Sequence, residues 1–133
     1  MKIDRALLDE IVAHAVRDAP NECCGVVVGR DGIATAARAL ENLAASPFRF
    51  DIDGRELIAF AFADEDDDQL TAIYHSHTRS PPYPSQTDVN FAAGWPGVEW
   101  LIVGVPKAKD GEPEVRSYLI EDGVIREVEL EVT

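Results

Sequence analysis

From Asp4 to about Ala19 the apolar residues Leu7, Leu8, Ile11, Val12, Ala15, Val16 and Ala19 recur at helical spacing. The pattern predicts an amphipathic helix with Asp4 as its N-cap and Pro20 as its stop. The period then shortens. Cys24 to Gly29 is a β-branched run, and Asp31-Gly32 is a turn signal into a second strand from Ile33 to about Leu40, so these two segments read as a hairpin. Phe48 to Ile52 reads as a third short strand after a loop containing Pro47. Asp53 can cap a second helix, whose Leu57, Ile58, Phe60, Ala61 and Phe62 are too densely apolar for an exposed surface. The acidic run from Asp64 to Asp68 reads as a solvated loop. Leu70 to His77 is a strand that Ser80-Pro81-Pro82-Tyr83-Pro84 cannot continue, because proline supplies no backbone donor. Ser85 to about Ala93 carries a helix-start pattern, and Trp100 to Val105 reads as a buried strand. Val115 to Ile120 pairs naturally with Val124 to Val132 through Glu121-Asp122-Gly123.

That order of helices and strands is an α/β fold, and nothing resembling a linker or repeat divides the 133 residues, which read as one domain over 1–133. Apolar residues make up 46% of the chain, enough for a core without a disulfide staple. No run approaches the ~20 apolar residues of a membrane span, and Met1-Lys2-Ile3-Asp4 leads directly into the first helix with no signal-peptide pattern. The expectation is a cytoplasmic protein without a membrane partner. Cys23 and Cys24 are adjacent, a spacing that builds no disulfide framework and suits two small buried side chains. The net charge of −13 argues against nucleic acid as a partner, since Lys2, Lys107 and Lys109 are the only lysines among 25 acids. Such a surface fits a high-salt cytoplasm or attraction of a basic partner.

Candidate chemistry is concentrated in one stretch. His75 and His77 lie two apart on a strand, so their side chains share a face and can reach one point. Seven residues later come Ser85 and then Asp88, at the start of the next helix. Two imidazoles and a carboxylate make a three-ligand zinc site whose fourth position is free for water, the catalytic rather than the structural arrangement. Glu22, far upstream, is a candidate base. Each feature also has a plainer reading: the histidines as polar residues at a strand end, and Ser85-x-x-Asp88 as a capping box. His14 reads as a packing or surface residue.

The pattern His75-x-His77, seven residues, Ser85-x-x-Asp88 resembles the signature of the JAMM (MPN+) metalloproteases. Pro20-Asn21-Glu22-Cys23-Cys24-Gly25 resembles that family's upstream glutamate motif. The resemblance implies a single-domain JAB/MPN-type α-β-α sandwich with a mixed sheet, similar to cytidine deaminases. It implies one zinc per chain held by His75, His77 and Asp88, with Glu22 as general acid/base and Ser85 hydrogen-bonding the oxyanion. Only Val89 to Glu99 separates Asp88 from the next strand, which is similar to the compact bacterial branch that acts on ubiquitin-like sulfur-carrier proteins. The implied substrate is such a carrier's C-terminal Gly-Gly tail, from which cysteine is released. Three other readings stay open: a noncatalytic scaffold of the same fold binding a ubiquitin-like partner, a nonhaem Fe(II) oxygenase, and a zinc deaminase, whose Pro-Cys-x-x-Cys pair is absent.

Overall fold

Asp4 accepts the Leu7 amide at 2.7 Å and so caps α1 (Arg5–Asp18), where the helical period of the sequence begins. The computed structural model describes residues 1–107 and 111–133. Around α1 the chain forms β1 (Lys2–Ile3), the hairpin β2 (Cys24–Arg30) and β3 (Ile33–Leu40), α2 (Gly54–Ala61), β4 (Gln69–His77), α3 (Gln86–Ala92), β5 (Glu99–Gly104), β6 (Glu114–Glu121), β7 (Val124–Val128) and β8 (Glu131–Val132). The strands make one mixed sheet in the order β7-β6-β5-β4-β2-β3-β1-β8. The β4–β5, β1–β3 and β1–β8 pairs are parallel and the others antiparallel. The sheet is curled, because only Glu129 and Leu130 separate β7 at one end of this order from β8 at the other.

Alternation along β2, β4 and β5 divides the core into two layers. Val27, Ala72, Tyr74, Leu101 and Val103 pack with Leu7, Leu8, Ile11 and Ala15 of α1 on one face. Val26, Ile73, Trp100 and Ile102 pack with Leu57 of α2 and Ala92 of α3 on the other. The result is an α-β-α sandwich around a mixed sheet. β4 sits inside the sheet between β2 and β5, so its carboxyl end emerges from the most constrained part of the molecule.

Three sequence expectations differ from what is observed. Met1 to Ile3 does not run into the helix: Lys2–Ile3 is β1, because Glu131–Val132 leaves the expected long last strand to pair with it. Phe48 to Ile52 is not a strand. Phe50 and Ile52 do turn inward, but the Asn42 side chain and the Leu43 amide, rather than a neighbouring strand, take backbone bonds of this segment. The third concerns α2, which forms where expected but buries only Leu57, leaving Ile58 and Phe62 exposed. Cys23 and Cys24 are buried free thiols, and burial pushes both up to about 12. No described helix is long and apolar enough to cross a membrane.

One glycine is required by packing. Gly25 pairs directly with Tyr74, and a Cβ at position 25 would lie well inside van der Waals contact of Cζ, Cε1 and the hydroxyl oxygen of Tyr74. That ring is buried, and its hydroxyl is bonded to His14 Nδ1 at 2.7 Å. Gly25→Ala should therefore destabilise the fold by about 1–3 kcal/mol, the usual range for overpacking. Urea unfolding measures this, and an unchanged midpoint would show that the Tyr74 ring moves freely.

Candidate metal centre

The antiparallel pairing of β2 with β4 places Cys24 opposite His75. The ladder continues past the end of β2: the Ser76 amide donates to the Cys23 carbonyl at 3.2 Å, and the Cys23 amide donates to Ser76 Oγ at 2.8 Å. One step further along this register, Glu22 faces His77. The Glu22 backbone is held on both sides, its amide donating to Ser46 O and its carbonyl accepting from Asn42 Nδ2, each at 2.9 Å. Asn42 uses its whole hydrogen-bonding capacity on this corner. Its Nδ2 also donates to Arg49 O at 3.1 Å, and its Oδ1 accepts the amides of Ala44 and Asp51, both at 3.0 Å.

From β4, His75 and His77 project to the face covered by α3, and their Nε2 atoms lie 3.1 Å apart. Asp88 reaches them from the first turn of α3, with Oδ2 at 3.2 Å from His75 Nε2 and 3.3 Å from His77 Nε2. Ser85 caps this helix, accepting the Asp88 amide on Oγ at 3.2 Å, while Asp88 Oδ2 accepts the Ser85 amide at 2.8 Å. The capping box of the sequence is thus real, and the same carboxylate oxygen faces both imidazoles. Glu22, His75 and His77 form a second, overlapping group, with one ligand atom of each within 4.8 Å of the others. Glu22, His75, His77 and Asp88 are all buried, whereas Ser85 is exposed.

The chemistry of these donors suits a cation. His77 Nδ1 lies 2.8 Å from the Pro81 carbonyl, which can only accept. Nδ1 therefore carries the proton of the neutral ring, and the Nε2 lone pair faces the cluster. His75 has no partner for Nδ1 among the described residues, so all its polar contacts are made by Nε2. Two imidazole nitrogens and a carboxylate oxygen, mutually 3.1–3.3 Å apart, match the ~3.3 Å edge of a tetrahedron with metal–ligand bonds of about 2.0 Å. Without a cation, two ring nitrogens and one oxygen must share protons at that separation.

Burial drives the electrostatics. It pushes the Glu22 carboxyl up to about 7, with the Asp88 charge adding to the rise and His77 opposing it. It pushes His75 down, only partly offset by Asp88. For His77 burial acts in the same direction, but the bonds to Asp88 and Pro81 outweigh it and the net shift is upward. Burial alone would raise Asp88; bonds from both histidines and the Ser85 amide instead hold it far below the usual carboxylate range.

Several supporting residues carry no sequence signal. Phe50 stacks on His75 with ring centroids 4.4 Å apart, and Thr78 Oγ1 donates to Pro20 O at 2.7 Å and Pro47 O at 3.2 Å. These partners lie 25 to 58 residues apart, beyond any local pattern. His14, expected as packing, is buried between Tyr74 and Asp18 and away from the cluster.

Residues 4–121 match the family described as prokaryotic homologs of the JAB domain. The chain is 38% identical over 124 residues to the CysO-cysteine peptidase of Mycobacterium tuberculosis, covering 91% of this chain and 83% of that protein. It is 33% identical over 123 residues to a probable TtuB-protein conjugate cleaving protease of Thermus thermophilus, covering 91% and 76%. The crystal structure of a JAB1/MPN domain protein from Archaeoglobus fulgidus superposes with a TM-score of 0.67 at 23% identity, over 99% of this chain and 98% of that one, and shares the fold.

A cation bound by these buried donors links binding to stability. Zinc at a thousand times its dissociation constant should add about 4 kcal/mol. Thermal denaturation should therefore show a higher Tm with zinc than with a chelator, and His77→Ala should remove most of the difference. Equal Tm values under both conditions would rule out a metal at this cluster.

Proposed function

The chain belongs to the prokaryotic JAB-domain family, and from that membership we propose that it is a cytoplasmic, single-domain zinc metallopeptidase. Its substrate is the C-terminal Gly-Gly tail of a ubiquitin-like sulfur-carrier protein, from which it releases cysteine or the processed carrier. The observation that supports the reading most strongly is the convergence of His75 Nε2, His77 Nε2 and Asp88 Oδ2 within 3.1–3.3 Å, with Glu22 beside the same pair of histidines.

His75, His77 and Asp88 would hold one zinc ion. When bound, zinc supplies a Lewis acid that polarises a carbonyl and lowers the pKa of water to about 7. Glu22 accepts a proton from the attacking water and returns it to the leaving amine nitrogen. Its elevated affinity for a proton, set mainly by burial, suits a group that must both take and give one near neutrality. Ser85 Oγ is engaged as an acceptor by the Asp88 amide, which leaves the hydroxyl proton to donate to the oxyanion of the substrate. Asp88 remains charged throughout, because the Oδ2 atom that faces the imidazoles also accepts the Ser85 amide. The resemblance in name to peptidases and conjugate-cleaving proteases over nine tenths of the chain supports the substrate class.

Glu22→Gln should keep the fold and the zinc while losing at least ~100-fold in kcat, as expected on removing a general base. A metal-loaded, fully active Gln variant would overturn the role. Mass spectrometry of a sulfur-carrier protein ending in Gly-Gly-Cys, incubated with the enzyme, should show loss of one cysteine. An intact carrier would refute the substrate assignment.

A further inference from the structure

All nine arginines are exposed, and four of them, Arg17, Arg30, Arg55 and Arg116, pair with a carboxylate. Arg79, with no ion pair or hydrogen bond among the described residues, is stacked instead on an aromatic ring: its guanidinium carbon lies 5.4 Å from the centroid of the Phe48 ring. Phe48 is itself 73% exposed, a large apolar ring left in solvent. Stacking on that ring covers one face of the guanidinium and leaves its N–H edge free for a planar anion.

The position of this pair is set by the same bonds that hold the centre. Arg79 lies two residues beyond His77. Thr78, between them, donates to the carbonyls of Pro20 and Pro47, and the neighbouring Ser46 carbonyl accepts the Glu22 amide. The segment carrying Phe48 and the exit of β4 carrying Arg79 are therefore both fastened to the Glu22 side of the cluster. That is the side on which the leaving amine receives its proton. In a released C-terminal residue the carboxylate is joined to this amine through one carbon, two bonds of about 1.5 Å away. A lysine side chain leaving from an isopeptide has no carboxylate there, and an internal peptide has a neutral carbonyl instead.

We propose that Arg79, shelved on Phe48, is a specificity residue that receives the α-carboxylate of the released residue and makes the enzyme prefer a free C-terminal residue over isopeptide or internal bonds. The inference rests on the peptidase reading above and adds to it the chemical class of the leaving group. A charge-assisted, bidentate contact of this kind discriminates strongly, because a substrate without the carboxylate leaves the arginine unmatched.

The test uses the full chain loaded with zinc and one carrier domain ending in Gly-Gly-Cys, prepared both as the free acid and as the C-terminal amide. The wild type should cleave the acid with a kcat/KM at least ~10-fold above that of the amide. Arg79→Ala should lower the value for the acid at least ~10-fold more than that for the amide, so that the ratio falls toward one. A merely structural role would lower both values together and leave the ratio intact, which would overturn the proposal, as would equal wild-type rates on the two substrates. If the wild type cleaves neither, the peptidase reading itself fails, an outcome separate from any effect of Arg79.

Discussion

The placing of Glu22 against the histidines of the candidate metal centre depends on the register between β2 and β4. Because antiparallel partners are fixed residue against residue, the pairing of Cys24 with His75, extended by the bonds between Cys23 and Ser76, decides that Glu22 faces His77. A slip of one residue would turn the histidines to the opposite face, and a slip of two would carry Glu22 about 7 Å along the sheet. The packing of Tyr74 across Gly25 guards against both. A slip of one would bring Cys24 or Val26 against that ring and a slip of two Cys23 or Val27, and none of these leaves room for it. A hydrophobic fit in the core thus specifies a polar geometry at its edge.

The centre also divides labour between two buried carboxyl groups. Asp88 sits where a helix start, a capping serine and two imidazoles converge, and these donors outweigh the cost of its burial. Glu22 has its backbone clasped by Asn42 and Ser46, while its side chain receives no comparable set of donors among the described residues and is pushed up to about 7. Environments that drive two acids of one site in opposite directions favour a charged carboxylate at Asp88 and a protonatable one at Glu22. The capping box does double work: the Asp88 oxygen that closes the first turn of α3 is also the one aimed at the histidines, so folding of the helix orients the carboxylate without a further partner.

Much of this was legible in the chain because its signals are local. Period 3.6 marked α1, and β-branched runs with Asp-Gly turns marked both hairpins. His75-x-His77 followed by Ser85-x-x-Asp88 could be placed on a strand end and a helix start by spacing alone. Glu22 was anonymous as a single acid after a helix and became a candidate only through resemblance of its surrounding motif. Other features depend on contacts that no window contains. The alternation of Phe48, Phe50 and Ile52 imitates a strand, but a strand needs a partner, and here the Asn42 side chain and the Leu43 amide take that place. The dense apolar run of α2 predicts a buried helix, yet the helix fully buries only Leu57, packs Phe60 partly against the core and leaves Ile58 and Phe62 outside. Lys2–Ile3 and Glu131–Val132 are too short to show any period and are strands only through their partners, each other and, for Lys2–Ile3, also β3.

That last pair has a bearing on how the molecule breathes. Two strands of two residues each make the β1–β8 contact that keeps the sheet curled, and so small a contact opens at a far lower free energy than the long ladders of β2, β4 and β5. β2 and β3 lie between this seam and β4. Transient opening there would expose the ends of the chain to proton exchange and proteases while the histidines stay in place. The fold keeps its most fragile joint on the far side of the sheet from its most demanding geometry, so partial unfolding and loss of the centre are separate events.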